Sequence, residues 1–390
     1  MSSFPFAAAA LACVLSFPAQ TAVGQSAAAQ LPPNLQLAAL PDRLDARVES
    51  AAPGSLVALT LGLVRGTTLL PGGAALDLVP LAVPAMAFAD GFGNALLTVR
   101  FPLGQGAGQE FLAQAIVLDA SAAGALLVTP LREARLPQIG AEADVIVLFG
   151  QSNAEGFAPL AAVPAALRGA HPRVRIWNDA QSEFQPLEAG VNNMLFPMQQ
   201  HVGPEIGMVE IAKDLPQPIW LVKVAVSQSA LGPMPGPWNE WGANAGELYP
   251  ELMRRIAAAT QRIAAQGLVP RVRLLCMMQG ETDALDPVLA AAYRTNLQNL
   301  IAQMRADIAL LGSAGGQVPW FRVGLVGLQL GPVGFRQVRA VRAAQVEVAA
   351  TTDRCDIVET SGLLMAPDRV HFAFAGLQEL GRTFLGRRSW

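Results

Sequence analysis

After residue 139 the chain alternates buried-type strands with helical stretches, and this alternation constrains its fold more than any other feature. Five apolar runs follow one another there, namely DVIVLF, IWLVKVAV, RVRLLCMM, WFRVGLVGL and CDIVET. Two intervening stretches carry an apolar stripe at helical spacing, formed by Leu248, Leu252, Ile256 and Ile263 and by Leu297, Leu300, Ile301, Met304 and Ile308. Strands of this kind, alternating with helices, predict an α/β domain with a parallel sheet over residues 139–390.

Residues 42–138 have a different pattern, with short Leu- and Val-rich runs that are broken at regular intervals by glycine-containing turns such as ADGFGN. Strand-length runs between regular turns predict antiparallel β structure, and we expect a small β-sandwich-like domain. A binding role, a packing role and a spacer role all remain open for it. Residues 25–41 are small, polar and proline-containing, which is typical of a linker.

The first residues of the chain resemble a secretory leader. Their apolar run is too short to span a bilayer, and small residues suited to signal peptidase follow it. We therefore expect residues 1–24 to be a signal peptide and the protein to be secreted or otherwise extracytoplasmic. An uncleaved or buried segment is one alternative, and Cys13 makes a lipoprotein a weaker one. No later run reaches about 18 apolar residues, so no membrane insertion is expected after the leader is removed.

Composition excludes several classes of function. A net charge of −3 gives no basic field, and the scattered Lys and Arg residues argue against a nucleic-acid or anionic-membrane partner. With 52% hydrophobic and 15% charged residues, the chain is not intrinsically disordered. After loss of the leader only Cys276 and Cys355 remain, and we interpret them as free thiols in strands.

The loop after DVIVLF contains the first candidate for chemistry. In GQSNAEG, Ser152 lies between Gly150 and Gly156 at a strand-to-helix turn, beside backbone N–H groups that would stabilise an oxyanion. The spacing is not that of the G-x-S-x-G elbow. For an arbitrary serine at this position, a simple helix N-cap is the more frequent role.

The loop after CDIVET supplies the partners that a serine nucleophile needs. Asp368 and His371 in APDRVHF are three residues apart, which puts both side chains on one side of a turn and lets the carboxylate orient the imidazole. The chain has 3 histidines, and neither His171 nor His201 has an orienting acid as close in sequence.

Two further loops follow strands. In QGETDA, Gln279 is a candidate oxyanion donor, while Glu281 and Asp283 are less suited to a glycosidase acid–base pair than to hydrogen bonds within their own loop. In SQSALGPMPGPWNEWG, Trp238 and Trp241 are equally compatible with stacking on a sugar and with packing.

Neither a metal nor a phosphate-binding cofactor is indicated. The sequence contains no H-E-x-x-H, no paired CxxC and no phosphate-binding glycine loop after a strand. We therefore expect a reaction without a cofactor.

Taken in order, GQSNAEG, HVGPEIG, KVAVSQS, QGETDA and DRVHFAFAGLQELG resemble the blocks of the SGNH hydrolase superfamily, in its sialate O-acetylesterase and carbohydrate acetylesterase branch. The resemblance runs from about residue 142 to 388. It implies a flavodoxin-like three-layer α/β/α sandwich with a five-stranded parallel sheet in the order 2-1-3-4-5. In that order one strand separates Cys276 from Cys355, which is too far for a disulfide.

The resemblance also implies roles for individual residues. Ser152 matches the nucleophile, His371 the base and Asp368 its orienting acid, while the Ser152 N–H and the Gln279 side chain match oxyanion donors. We add Asn153, Glu281 and Trp238 as candidate substrate contacts.

Two adjacent residues depart from the pattern of this branch. Where it usually has two glycines, this chain has Ser227 and Gln228. If this site requires a positive φ, a residue with a side chain would strain the loop and leave the oxyanion hole incomplete. Alternatively, the side-chain amide of Gln228 would donate to the oxyanion and complete the hole.

These observations predict a secreted serine esterase that removes O-acetyl groups from carbohydrates. Two alternatives remain open: a non-catalytic carbohydrate-binding protein with a degenerate site, and an O-acyltransferase that uses the same residues.

Overall fold

The computed structural model describes residues 32–40, 42–101, 108–121, 125–138, 140–193, 200–234, 240–242, 246–312 and 317–386. They form two compact units, of which the first comprises the chain up to Ala141 together with Pro164–Arg173, and the second comprises Glu142–Val163 and the chain from Val174 onward. The predicted leader, residues 1–24, lies outside the described residues. The segment Pro164–Arg173 was predicted to be part of the second domain but belongs to the first unit.

The first unit is built from antiparallel strands. They are β1 (Asn34–Leu40), β2 (Arg43–Glu49), β3 (Leu56–Leu69), β4 (Ala75–Phe88), β5 (Ala95–Arg100), β6 (Glu110–Leu118), β7 (Leu126–Val128) and β8 (Arg132–Arg135). One sheet has the order β1-β2-β5, and the other has the order β4-β3-β6, where β7 and β8 both pair with β6. Buried side chains from both sheets, such as Leu37, Val48, Leu59 and Val117, form a single core cluster, so the two sheets pack as a sandwich.

Strand β1 corrects the predicted linker. Residues 34–40 lie inside the segment 25–41 that its composition assigned to a linker, yet they pair with β2 along their whole length. The physical reason is the alternation of Leu35, Leu37 and Ala39, which puts three apolar side chains into the core of the sandwich.

The second unit alternates strands and helices. Its strands are β9 (Glu142–Gly150), β10 (Ala158–Pro159), β11 (Ala170–Asn178), β12 (Glu183–Glu188), β13 (His201–Val202), β14 (Ile219–Ala225), β15 (Val269–Met278), β16 (Trp320–Gly324) and β17 (Cys355–Val358). The first four residues of β11 belong to the first unit. Its helices are α1 (Ser152–Glu155), α2 (Glu205–Ala212), α3 (Leu248–Ala264), α4 (Pro287–Leu310), α5 (Val338–Thr351) and α6 (Phe374–Gly386). The two predicted apolar stripes lie on α3 and α4, and all of their residues are buried, which confirms them as core.

The main sheet has seven strands in the order β12-β11-β14-β9-β15-β16-β17, not the five predicted. The strand β9, first of the five predicted, lies between β14 and β15, and every pair from β11 to β17 is parallel. β11 and β12 extend the sheet beyond β14. The sequence concealed β11 because Arg173 and Arg175 interrupt its apolar pattern, although Arg175 is buried in the structure.

Helices cover the sheet in two layers. The connections β14–β15, β15–β16 and β16–β17 all run in the same direction, so right-handed crossovers place α3, α4 and α5 on one face. On the other face α2 packs against α6, where Gly207 and Gly381 allow close approach: a Cβ at Gly381 would lie 1.8 Å from the Pro204 oxygen. Within the described residues, no helix has the length and apolar character needed to cross a membrane.

The parallel strands end in register, which positions the site. Ala225, Gly150, Met278, Gly324 and Val358 are successive neighbours at the carboxyl ends of β14, β9, β15, β16 and β17. The loops that follow these strands therefore begin side by side at one edge. Cys276 and Cys355 lie in β15 and β17 on either side of β16, and both are free thiols, as expected.

Candidate active site

Ser152 follows a turn in which position 150 must be glycine. Gly150 has φ +139°, and a Cβ there would lie 2.0 Å from the Met278 oxygen of the neighbouring strand. Gln151 is extended and caps α1, so Ser152 becomes the first residue of a one-turn helix at the end of β9. Ser152 is 7% exposed, and neither its hydroxyl nor its N–H has a hydrogen-bond partner among the described residues.

The side chains that flank Ser152 anchor the neighbouring loops. Gln151 Oε1 accepts from the backbone N–H groups of Gly280 and Thr282, both at 3.2 Å, and so holds the loop after β15. Glu155 Oε2 accepts from the N–H of Ser227 at 3.0 Å and from its hydroxyl, and so holds the loop after β14. The GQSNAE segment is therefore the point at which the edge loops are joined.

Asn153 joins the loop of His371 to the helix of Ser152. Its Oδ1 accepts from the Phe372 N–H at 2.9 Å, and its Nδ2 donates to the Val370 oxygen at 3.3 Å. One amide thus binds the residues on both sides of His371. The same Nδ2 donates to Glu281 Oε1 at 2.8 Å.

Asp368 and His371 form the pair that their spacing predicts. His371 Nδ1 lies 2.7 Å from Asp368 Oδ2, and Asp368 Oδ1 accepts from the N–H groups of Val370 and His371, each at 2.9 Å. Partial burial raises the pKa of Asp368, but the two N–H groups and the imidazole outweigh it and lower that pKa below its usual value. An ionised Asp368 on Nδ1 leaves Nε2 as the imidazole nitrogen available for proton transfer.

Phe157 and His201 continue the site beside His371. The Phe157 ring stacks on the His371 imidazole with centroids 4.7 Å apart and an interplanar angle of 23°, and it lies 5.8 Å from the His201 ring. Stacking restricts rotation of the His371 ring. Phe157 was not predicted to belong to the site, because nothing in a single sequence connects an aromatic after GQSNAEG with a histidine more than two hundred residues away.

The Gln279 side chain, which was predicted to donate to the oxyanion, makes its hydrogen bonds inside the protein. It is 0% exposed, and its Nε2 donates to Asp283 Oδ2 at 2.5 Å and to the Ser229 oxygen at 3.3 Å. Its Oε1 accepts from the Tyr293 hydroxyl at 3.0 Å. Both amide hydrogens are therefore engaged inside the protein, so the expected role of the Gln279 side chain as an oxyanion donor is not supported. Gln279 instead connects α4 to the edge loops.

Gln228 has the positive φ that was considered for this position, where related sequences usually have glycine. Its φ is +62°, it is exposed, and its N–H has no acceptor among the described residues. A residue with a Cβ in this region carries a strain of about 1–2 kcal/mol. The loop thus keeps a strained residue beside Ser227, which Glu155 anchors.

Replacing Gln228 with glycine is expected to change the free energy of unfolding by less than about 1 kcal/mol, because relief of the left-handed strain is offset by the greater freedom of glycine in the unfolded chain. Urea unfolding followed by tryptophan fluorescence measures this. A loss of more than about 2 kcal/mol would contradict it and show that the Gln228 side chain makes stabilising contacts.

The remaining predicted contacts divide into three cases. Asn153 and Glu281 are buried and hydrogen-bonded to each other, so the structure gives them internal positions where substrate contact was expected. Trp238 lies outside the described residues. Trp241 is in the core, with Nε1 donating to Ser229 Oγ at 2.8 Å and its ring 5.4 Å from that of Phe149, and therefore offers no surface for a sugar.

A buried ion pair that the sequence did not reveal lies behind α1. Lys223 Nζ on β14 donates to Glu205 Oε2 at 2.7 Å and to the Glu155 carbonyl oxygen at 2.6 Å. Glu205 Oε1 accepts from the Gly203 N–H at 2.7 Å and from Asn193 Nδ2 at 2.9 Å. This network fixes the C-terminal end of the Ser152 helix. Among the residues that the structure describes, no three His, Cys, Asp or Glu side chains are grouped as metal ligands.

The α/β/α unit has a serine after its first predicted strand and an Asp–His pair after its last, which is the arrangement that the resemblance to SGNH hydrolases implies. Comparison with protein families agrees, since residues 142–387 match the family described as carbohydrate esterase, sialic acid-specific acetylesterase. The chain belongs to this family and is a carboxylic ester hydrolase.

Several solved structures are similar to this chain at low sequence identity. A protein from Arabidopsis thaliana is 17% identical with a TM-score of 0.50, and the match covers 62% of this chain and 96% of that one. NanS is 16% identical with a TM-score of 0.48, covering 63% and 95%. A family two carbohydrate esterase from Cellvibrio japonicus is 11% identical with a TM-score of 0.36, covering 91% and 86%. No curated protein gives a significant match.

Proposed function

We propose that this protein is a serine esterase that removes O-acetyl groups from carbohydrates, with Ser152 as nucleophile, His371 as general base and Asp368 as the acid that orients it. The observation that carries the proposal is the bridge made by Asn153. This residue directly follows Ser152 and binds the backbone on both sides of His371. The two loops that carry the hydroxyl and the imidazole, which lie at opposite ends of the unit's sequence, are thereby held together.

In the proposed reaction, His371 Nε2 takes the proton from Ser152 Oγ as the oxygen attacks the ester carbonyl. The N–H groups of Ser152 and Gln228 stabilise the oxyanion, since both are donors without acceptors among the described residues. The exposed Gln228 amide is a further donor. His371 then protonates the departing sugar oxygen, leaving an acetyl-Ser152 intermediate. Water, activated by the same imidazole, attacks this ester and releases acetate.

Family membership supports an acetylated carbohydrate as the substrate class, either an O-acetylated sialic acid or an acetylated polysaccharide. The leader-like N-terminus supports action outside the cytoplasm, where such carbohydrates are exposed. The same residues would serve an acyltransferase if a sugar hydroxyl replaced water in the second step. Hydrolysis is the simpler proposal because it requires no second sugar site.

The test is acetate release from p-nitrophenyl acetate, O-acetylated sialic acid and acetylated xylan, with Ser152→Ala as the blank. Serine-dependent release from one of the two carbohydrates would support the proposal and choose between them. Acetyl transfer to an added sugar with little free acetate would favour the acyltransferase. No turnover above the blank on any substrate would overturn the enzyme mechanism and favour a protein that only binds carbohydrate.

A further inference from the structure

Glu281 is a buried carboxyl group at the candidate active site that the proposed mechanism does not use. It follows β15 and is 1% exposed. Its Oε1 accepts one hydrogen bond, from Asn153 Nδ2 at 2.8 Å. Its Oε2 is buried without a hydrogen-bond partner in the described part of the chain. A carboxylate in such a position would be costly, because the amide of Asn153 and the backbone N–H of Glu281 itself do not replace its lost hydration.

Burial raises the pKa of both Glu281 and its neighbour Asp283, but Asp283 accepts more hydrogen bonds. Asp283, also buried, accepts from Gln279 Nε2 at 2.5 Å and from the Leu231 N–H at 3.0 Å. Burial raises the pKa of Glu281 and is the largest cause. The amide of Asn153, the backbone N–H of Glu281 itself and the nearby His371 each lower this pKa to a smaller extent, and Asp283 raises it further. Tyr293, a further titratable group that interacts with Glu281, is also buried.

Glu281 adds a third constraint on the orientation of the Asn153 amide. Asn153 needs its nitrogen toward the Val370 oxygen and its oxygen toward the Phe372 N–H. A flipped amide would place its oxygen against the Val370 oxygen and its nitrogen against the Phe372 N–H, losing both bonds. The acceptor at Glu281 Oε1 favours the orientation that holds both residues beside His371.

We propose that Glu281 is a positioning residue, present as the neutral acid, that orients Asn153 and through it sets the distance between the His371 loop and Ser152. The inference rests on the proposed function, because it takes His371 as the base. It assigns Glu281 a role distinct from the substrate contact first expected for it. It also explains why a carboxyl group with an unpaired oxygen is kept inside the protein.

The experiment compares Glu281→Gln, Glu281→Leu and Asn153→Ala with the wild type, using p-nitrophenyl acetate. The glutamine oxygen still accepts from Asn153, so Glu281→Gln is expected to keep kcat within about threefold. The leucine variant removes the acceptor without leaving a large cavity, and we expect kcat to fall about 10²-fold with little change in KM, as for a misplaced catalytic group. Combining Glu281→Leu with Asn153→Ala should lower kcat no further than Asn153→Ala alone.

Charge gives a second readout, which a purely structural role would not move. Loss of a nearby negative charge would make His371 harder to protonate, so an ionised Glu281 predicts that Glu281→Gln moves the acid limb of the kcat/KM profile to lower pH. We expect no shift. NMR of labelled histidines measures the titration of His371 directly, even in an inactive protein, because the chain has only 3 histidines. A shift above about half a pH unit, or equal kcat for the glutamine and leucine variants, would overturn the proposal.

Discussion

Replacing Ser152 with alanine is expected to lower kcat for acetate release by about 10⁴- to 10⁶-fold, because the reaction loses the oxygen that forms the acyl-enzyme. The turn itself should persist. Gly150 and the anchoring side chains Gln151, Asn153 and Glu155 all remain, and alanine is tolerated at the start of a helix. The loss should therefore appear in kcat without a fall in the stability of the unit.

Acetate release and labelling by a fluorophosphonate probe both measure this prediction. The wild type should be labelled at Ser152, and the alanine variant should not be labelled. Ser361→Ala is the matched control, since Ser361 is an exposed serine in the loop after β17 and should leave both readouts unchanged. Labelling of another serine, or more than about 1% residual activity in Ser152→Ala, would move the nucleophile elsewhere.

Local sequence spacing was sufficient for the Asp368–His371 pair, because a carboxylate and an imidazole three residues apart meet within one turn without help from the rest of the fold. It was not sufficient for Gln279. The direction of that side chain is set by Tyr293 on α4 and by Asp283. The spacing of these residues along the sequence does not show that the Gln279 amide points into the protein. Gln228 lies between these cases, since only comparison with a glycine-containing family pattern pointed to its positive φ.

Some elements of the fold could likewise be predicted from the sequence, and others could not. Predominantly apolar strands such as β9 and β14 were recognisable from the sequence, whereas β11 was concealed by its arginines and β1 by its linker-like surroundings. Pro164–Arg173 joins the first unit through Arg47, which donates to the carbonyl oxygens of Ala170 at 2.6 Å and Arg168 at 2.5 Å. A buried arginine that binds a distant stretch of backbone has no signature in sequence, because charged residues are exposed by default.

Lys223 and Glu205 provide the stability prediction with the largest expected effect. Replacing Lys223 with methionine is expected to lower the free energy of unfolding of the α/β unit by about 3–5 kcal/mol, because it leaves the fully buried carboxylate of Glu205 without its cation. The Glu155 carbonyl oxygen also loses its donor, which loosens the helix that begins at Ser152. A lower kcat should therefore accompany the loss of stability.

Urea unfolding followed by tryptophan fluorescence isolates this unit, because all 6 tryptophans lie after residue 174. Arg294→Met is the matched control. Its partner Glu347 is 3.0 Å away and both side chains are 50% exposed, so water replaces the lost interaction and the cost should stay below about 1 kcal/mol. Equal effects of the two substitutions would mean that the environment of Glu205 is hydrated. A large loss of stability for Lys223→Met alone would show that the C-terminal end of the Ser152 helix depends on the buried charge of Lys223.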